Sequence, residues 1–131
     1  MVYRQAEHYR LKPMKSLAGN ILGAQRIMDS RAVTDEALIR AVALITHAEQ
    51  VHSAYGTALP LGYDAVRRQV YEACIAHNMD KARSIVEGND NIKRFGAARA
   101  HLESVSSYCQ KLGISLPKGF NELEIRVKSS S

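Results

Sequence analysis

The chain has 131 residues, 46% of them apolar, 24% charged and 6% aromatic, with two cysteines and no tryptophan. That length suits one domain, the apolar fraction excludes wholesale disorder, and eight glycines with three prolines are too few for a collagen-like or low-complexity chain. Eighteen Lys and Arg against thirteen acids give a formal charge of +5, with six of the cations and two of the acids in residues 1–31. Such an excess raises a nucleic-acid reading, because phosphate neutralisation drives non-specific affinity.

The uncharged run Ala41–Ala48 is far shorter than the roughly 20 apolar residues a bilayer requires. Arg4, Glu7, His8, Arg10, Lys12 and Lys15 interrupt any signal-peptide pattern, so a soluble cytoplasmic protein without membrane insertion is expected. Cys74 and Cys109 lack a Cys-x-x-Cys spacing and fall on apolar faces, which suits free thiols packed as small hydrophobes.

A helical period runs through most of the sequence. Residues 1–12 read as an N-terminal arm; Pro13 then suits a first helical turn, where its missing N–H would go unpaired anyway. Met14, Leu17, Ile21, Ala24 and Met28 recur at three and four as one buried stripe. Gly19 and Gly23 weaken this helix or admit a close neighbour. Thr34 is a good N-cap for a second helix, with Asp35 and Glu36 in its first turn and Gly56 as its left-handed end. Its stripe reads Leu38, Ala41, Ile45, Ala48, His52 and Tyr55.

Residues 57–62 form a connector to a third helix from about Tyr63 to His77. Asn78 predicts a stop, and Asp80 opens a short fourth helix carrying Ala82, Ile85 and Val86. After a break at Gly88-Asn89-Asp90, the most regular seam in the chain follows: Ile92, Phe95, Ala98, Leu102, Val105, Cys109 and Leu112, closed by Gly113. Pro117 and Gly119 end the helical pattern. Leu123, Ile125 and Val127 then alternate with Glu124 and Arg126, which predicts a short extended C-terminal arm within a 117–131 tail. No internal repeat and no linker is read. The expected fold is all-α, a single domain over 1–131 built as an antiparallel bundle of four to five helices with that short extended C-terminal arm.

Catalytic signals are sparse. The sequence holds no Walker loop, no Gly-x-Gly-x-x-Gly, no His-Glu-x-x-His and no Gly-x-Ser-x-Gly, so neither an enzyme nor a cofactor is expected. His47 and His52 stand five apart, roughly 140° around a helix, which is a poor arrangement for sharing one ion, and no metal site is expected. Arg40 and His47 meet the loose arginine-to-histidine pattern of toxin-type helical ribonucleases, although Ala41 replaces the polar residue that usually follows the arginine. The tyrosines do not interleave with the basic residues as a base-stacking platform requires.

Three segments carry a family pattern. Leu38-Ile39-Arg40-Ala41 followed by Leu44 and Ile45, then Tyr63-Asp64 with Arg67 or Arg68, Glu72-Ala73-x-Ile75, Asn78 and Asp80, resembles the flagellin-specific export chaperones of the flagellar type III system. Ala24-Gln25-x-Ile27 is similar to the end of that family's first helix, and the resemblance covers about residues 17–87. Cys74 stands where the family usually has asparagine. The resemblance implies a non-enzymatic chaperone that binds a helical segment of flagellin or a similar secreted protein. It also implies that Tyr3, in Tyr3-Arg4-Gln5, plugs the empty binding surface as part of the N-terminal arm.

The residues support such a role on physical grounds. An export chaperone needs apolar grooves that accept an amphipathic helix of a disordered partner. The second and third helices carry apolar residues beyond one stripe, so Ile39 and Ala43 on one, and Tyr71 and Ile75 on the other, are the expected groove walls. The alternative is a small basic nucleic-acid-binding bundle, or a ribonuclease using Arg40 and His47.

Overall fold

Five α-helices span Val2–Met28 (α1), Asp35–Tyr55 (α2), Tyr63–Glu87 (α3), Phe95–Leu112 (α4) and Phe120–Ser129 (α5) in a computed structural model that describes residues 2–30, 33–88 and 95–129, with side chains for 15–30, 33–88 and 95–128. The fold is an all-α helical bundle, and no helix among the described residues is long and apolar enough to cross a membrane. Local chemistry sets the helix boundaries. The Thr34 side chain accepts the Ala37 N–H at 3.1 Å, Asp35 and Glu36 complement the dipole, and Gly56 ends α2 at φ 63 with its N–H on the His52 carbonyl. Gly113 ends α4 in the same left-handed region.

Three expectations are corrected. Residues 2–12 are helical and belong to α1, which runs through Pro13. Gln5, Ala6, Glu7, Leu11 and Lys12 favour helix, and a proline removes one i→i−4 bond without disordering the turns before it. The α3 helix passes through Asn78 without stopping, because Met79, Ala82 and Val86 carry its buried stripe onward, while the Asn78 amide donates to the Cys74 carbonyl at 2.7 Å. The expected C-terminal extended arm is α5. Phe120, Leu123 and Val127 are buried at helical spacing, Ile125 is 65% exposed, and Glu122 with Arg126 and Lys128 complements the dipole.

The chain divides into two compact units, residues 1–70 and 71–131, with the boundary inside α3. In the first unit α1 packs on α2, burying Leu17, Ile21 and Ala24 from one and Leu38, Ala41, Ile45 and Ala48 from the other. A Cβ on Gly23 would meet Leu44 Cδ1 at 3.2 Å, so this glycine admits the neighbour, whereas Gly19 faces open space. The second unit buries Ile75, Met79, Ala82 and Val86 of α3 with Ala98, Leu102, Val105 and Cys109 of α4 and with α5. Position 92, the expected start of the seam that follows the Gly88-Asn89-Asp90 break, lies outside the described residues.

The two units are built on one pattern, which overturns the expectation of no repeat. Gly56, Leu59, Pro60, Gly62, Tyr63, Val66 and Val70 are matched 57 residues later by Gly113, Leu116, Pro117, Gly119, Phe120, Leu123 and Val127. The geometry matches as well. Tyr63 N–H bonds to the Pro60 carbonyl and Phe120 N–H to that of Pro117, both at 3.1 Å, with Gly62 at φ 88 and Gly119 at φ 90. Each is a proline-initiated turn whose third residue must adopt positive φ, and a helix follows immediately. Ala41, Ile45 and Ala48 correspond at the same offset to the buried Ala98, Leu102 and Val105.

In the preceding helix the offset is 58, pairing Leu17, Ile21 and Ala24 with Ile75, Met79 and Ala82, and Asn20 with Asn78. Asn78 also faces His101, whose Nδ1–H donates to its Oδ1 at 2.7 Å, while Asn20 Nδ2 is buried without a hydrogen-bond partner.

Candidate partner-binding site

The repeated pattern creates the same cleft twice. In the first unit, Ala18, Leu22 and Gln25 of α1 face the Pro60–Gly62 turn and Ala65 and Val66 of α3 across an open cleft of about 320 Å³. Leu22 is 52% exposed and Leu61 fully so, because Leu61 is the second residue of the turn and projects from it. The corresponding cleft of the second unit, about 330 Å³, is lined by Arg83, Lys118, Gly119, Glu122, Leu123 and Arg126. At matching positions Gln25 becomes Arg83, Leu61 becomes Lys118, Ala65 becomes Glu122 and Leu22 becomes Asp80. One backbone therefore carries an apolar cleft in the first unit and a charged one in the second. Another cleft of the second unit, about 280 Å³, is flanked by Arg99, Glu103, Glu124 and Lys128, charges of both signs.

The expected site residues are dispersed. Ile39 (68% exposed) and Ala43 lie on the exposed face of α2 and outside the apolar cleft. Tyr71 and Ile75 are buried in the second unit, which corrects their reading as open groove walls. The reason is that α3 serves both units: Val66 and Val70 are buried in the first and Tyr71 and Ile75 in the second, so the helix is apolar on two sides. Tyr3 lies in α1, and its side chain is outside those described. Sequence reasoning missed Leu22 and Leu61. The available signal was an unusually apolar connector, Leu59-Pro60-Leu61-Gly62, where solvated turns are normally polar.

Groups with chemical potential are occupied structurally. Cys74 is buried, and burial pushes its thiol up to about 11, opposed by the hydroxyl of Tyr108 that donates to it. Tyr108 rises to about 12, first through burial and then through the neighbouring thiol, so neither is ionised near neutrality. The Tyr108 ring stacks on Tyr71 at 5.2 Å, and Lys111 Nζ lies 5.5 and 5.7 Å from the two ring centres. Burial likewise raises the Cys109 thiol. Arg40 and His47 are both exposed on α2, and His52 Nδ1 donates to the Thr57 carbonyl at 2.5 Å, tying the connector to α2. Among the described residues no group of three or more His, Cys, Asp or Glu is placed to hold a metal ion.

The chain matches no family model, no curated protein and no solved structure.

Proposed function

We propose that the chain is a non-enzymatic cytoplasmic adaptor or export chaperone that holds an amphipathic helical segment of a secreted protein, such as flagellin, in the apolar cleft of its first unit. One observation carries this reading: the same cleft is built twice, and only the first carries apolar side chains at the positions of Leu22, Leu61 and Ala65. The second unit folds with Asp80, Lys118 and Glu122 where the first has Leu22, Leu61 and Ala65, so packing does not require those apolar side chains, whereas Val66 and its counterpart Leu123 are both buried. Exposed apolar surface that folding does not require is the mark of a contact surface. An amphipathic helix, with its apolar side chains at i, i+3, i+4 and i+7, is the partner shape that such a cleft between helices accepts. Flagellin enters through the resemblance of residues 17–87.

Polymerisation of monomeric flagellin, followed by light scattering, tests the reading. An excess of the wild-type chain is expected to arrest filament growth, and Leu22→Asp, a change at an exposed position, to relieve the arrest. Unaltered growth in the presence of the wild-type chain, with no binding of amphipathic helical peptides, would sink it.

A further inference from the structure

The α1 row beside the apolar cleft carries a cation at each end, and the acid that follows it in the row, Asp29, accepts a hydrogen bond from the Gln25 amide at 2.9 Å. On α1, Lys15, Ala18, Leu22 and Arg26 fall in one row, because positions three and four apart align along a helix, and both cations are exposed. Lys15 and Arg26 stand about 16 Å apart along the axis, three turns, with Ala18 and Leu22 between them. The second unit supplies the comparison. At the 58-residue offset its row reads Ala73, Ala76, Asp80 and Ser84, so both cations are absent where the cleft is charged. Cations at both ends therefore accompany the apolar lining and are not a consequence of the shared fold. Residues 1–31 as a whole carry six cations against two acids.

We infer that the cleft selects an acidic amphipathic helix: an apolar stripe flanked, about three turns apart, by carboxylates that meet Lys15 and Arg26. This rests on the docking reading above and adds the chemistry of the partner. The carboxylates set orientation and preference, while burial of the stripe against Leu22, Leu61 and Val66 supplies most of the affinity. Phosphate is the other anion such a row could meet, but a nucleic-acid backbone offers no apolar stripe for Leu22 and Leu61.

Two synthetic helical peptides with the same apolar stripe, one flanked by Glu and the other by Lys, are titrated against the full-length chain by fluorescence anisotropy. At about 50 mM salt the Glu-flanked peptide is expected to bind about tenfold more tightly, and the gap to narrow at about 300 mM. Lys15→Glu combined with Arg26→Glu reverses the preference, with unchanged helical circular dichroism. Leu22→Asp weakens both peptides by tenfold or more.

Equal binding of the two peptides by the wild-type chain would overturn the charge selection and leave the docking reading standing. No binding of either would remove both. Binding of a random RNA oligomer that the double reversal abolishes and Leu22→Asp leaves intact would make the row a phosphate contact and overturn the inference.

Discussion

At the scale of the residue, a helical wheel shows which positions are apolar but not which neighbour covers them. Ile39 and Ile75 look alike in the sequence, each standing off the main stripe of its helix. Ile39 is 68% exposed, whereas Ile75 is 8% exposed and packs in the second unit with Met79 and Leu102. An aspartate at position 75 places a carboxylate among apolar side chains, a change of the class that costs more than about 4 kcal/mol and threatens a domain of ordinary stability. An aspartate at position 39 stays in water and shifts stability by about 0.5 kcal/mol or less. Urea denaturation of Ile75→Asp and Ile39→Asp is expected to separate them in this way, and equal midpoints would place both side chains in the same environment. The regular stripes of Leu17-Ile21-Ala24 and Ala98-Leu102-Val105 were legible because each serves one core. The α3 helix was not, because its two apolar sides belong to different units.

At the scale of the element, caps read correctly and short windows did not. Thr34 and Gly56 are local signals, and both act as caps as expected. The five residues 123–127 satisfy a period of two by alternation, yet the longer interval from Phe120 to Val127 carries a period of three and four. The two readings make different demands. A strand would set Leu123, Ile125 and Val127 on one face, so truncating Ile125 or Val127 would cost alike. In α5, Val127 is 2% exposed and Ile125 65%. Val127→Ala is therefore expected to cost about 2 kcal/mol and Ile125→Ala under about 0.5 kcal/mol, since only the first leaves a void. Thermal melting of both variants checks this, and comparable losses would restore the strand.

At the scale of the whole molecule, the duplicated pattern was hidden for physical reasons. The matching residues are mainly small, turn-forming or buried, which is where a helical fold constrains identity, and the register slips by one between the first helix of each unit and the rest. Fusion of both patterns inside α3 removes any linker that would have marked the join. The differences between the units now carry information that neither holds alone, and one of them governs how the molecule responds to base.

The buried thiol at Cys74, with Tyr108 donating to it, has Ser16 at its matching position in the first unit, so this alkaline liability belongs to the second unit. In the unfolded chain the thiol releases its proton near its ordinary 9.0, while in the folded protein it is held to about 11. Tyr108 behaves likewise, from 10.0 to about 12. Above pH 9 the unfolded state therefore binds fewer protons than the folded one, and stability falls as pH rises. Urea midpoints are expected to hold steady from about pH 7 to about pH 8.5 and to decline through about pH 11. Cys74→Ala should flatten the first part of that decline, leaving the smaller same-signed contribution of Cys109 and the later one of Tyr108. A decline that persists unchanged in Cys74→Ala would locate the alkaline sensitivity outside this pair and show that burial does not hold the proton on the thiol.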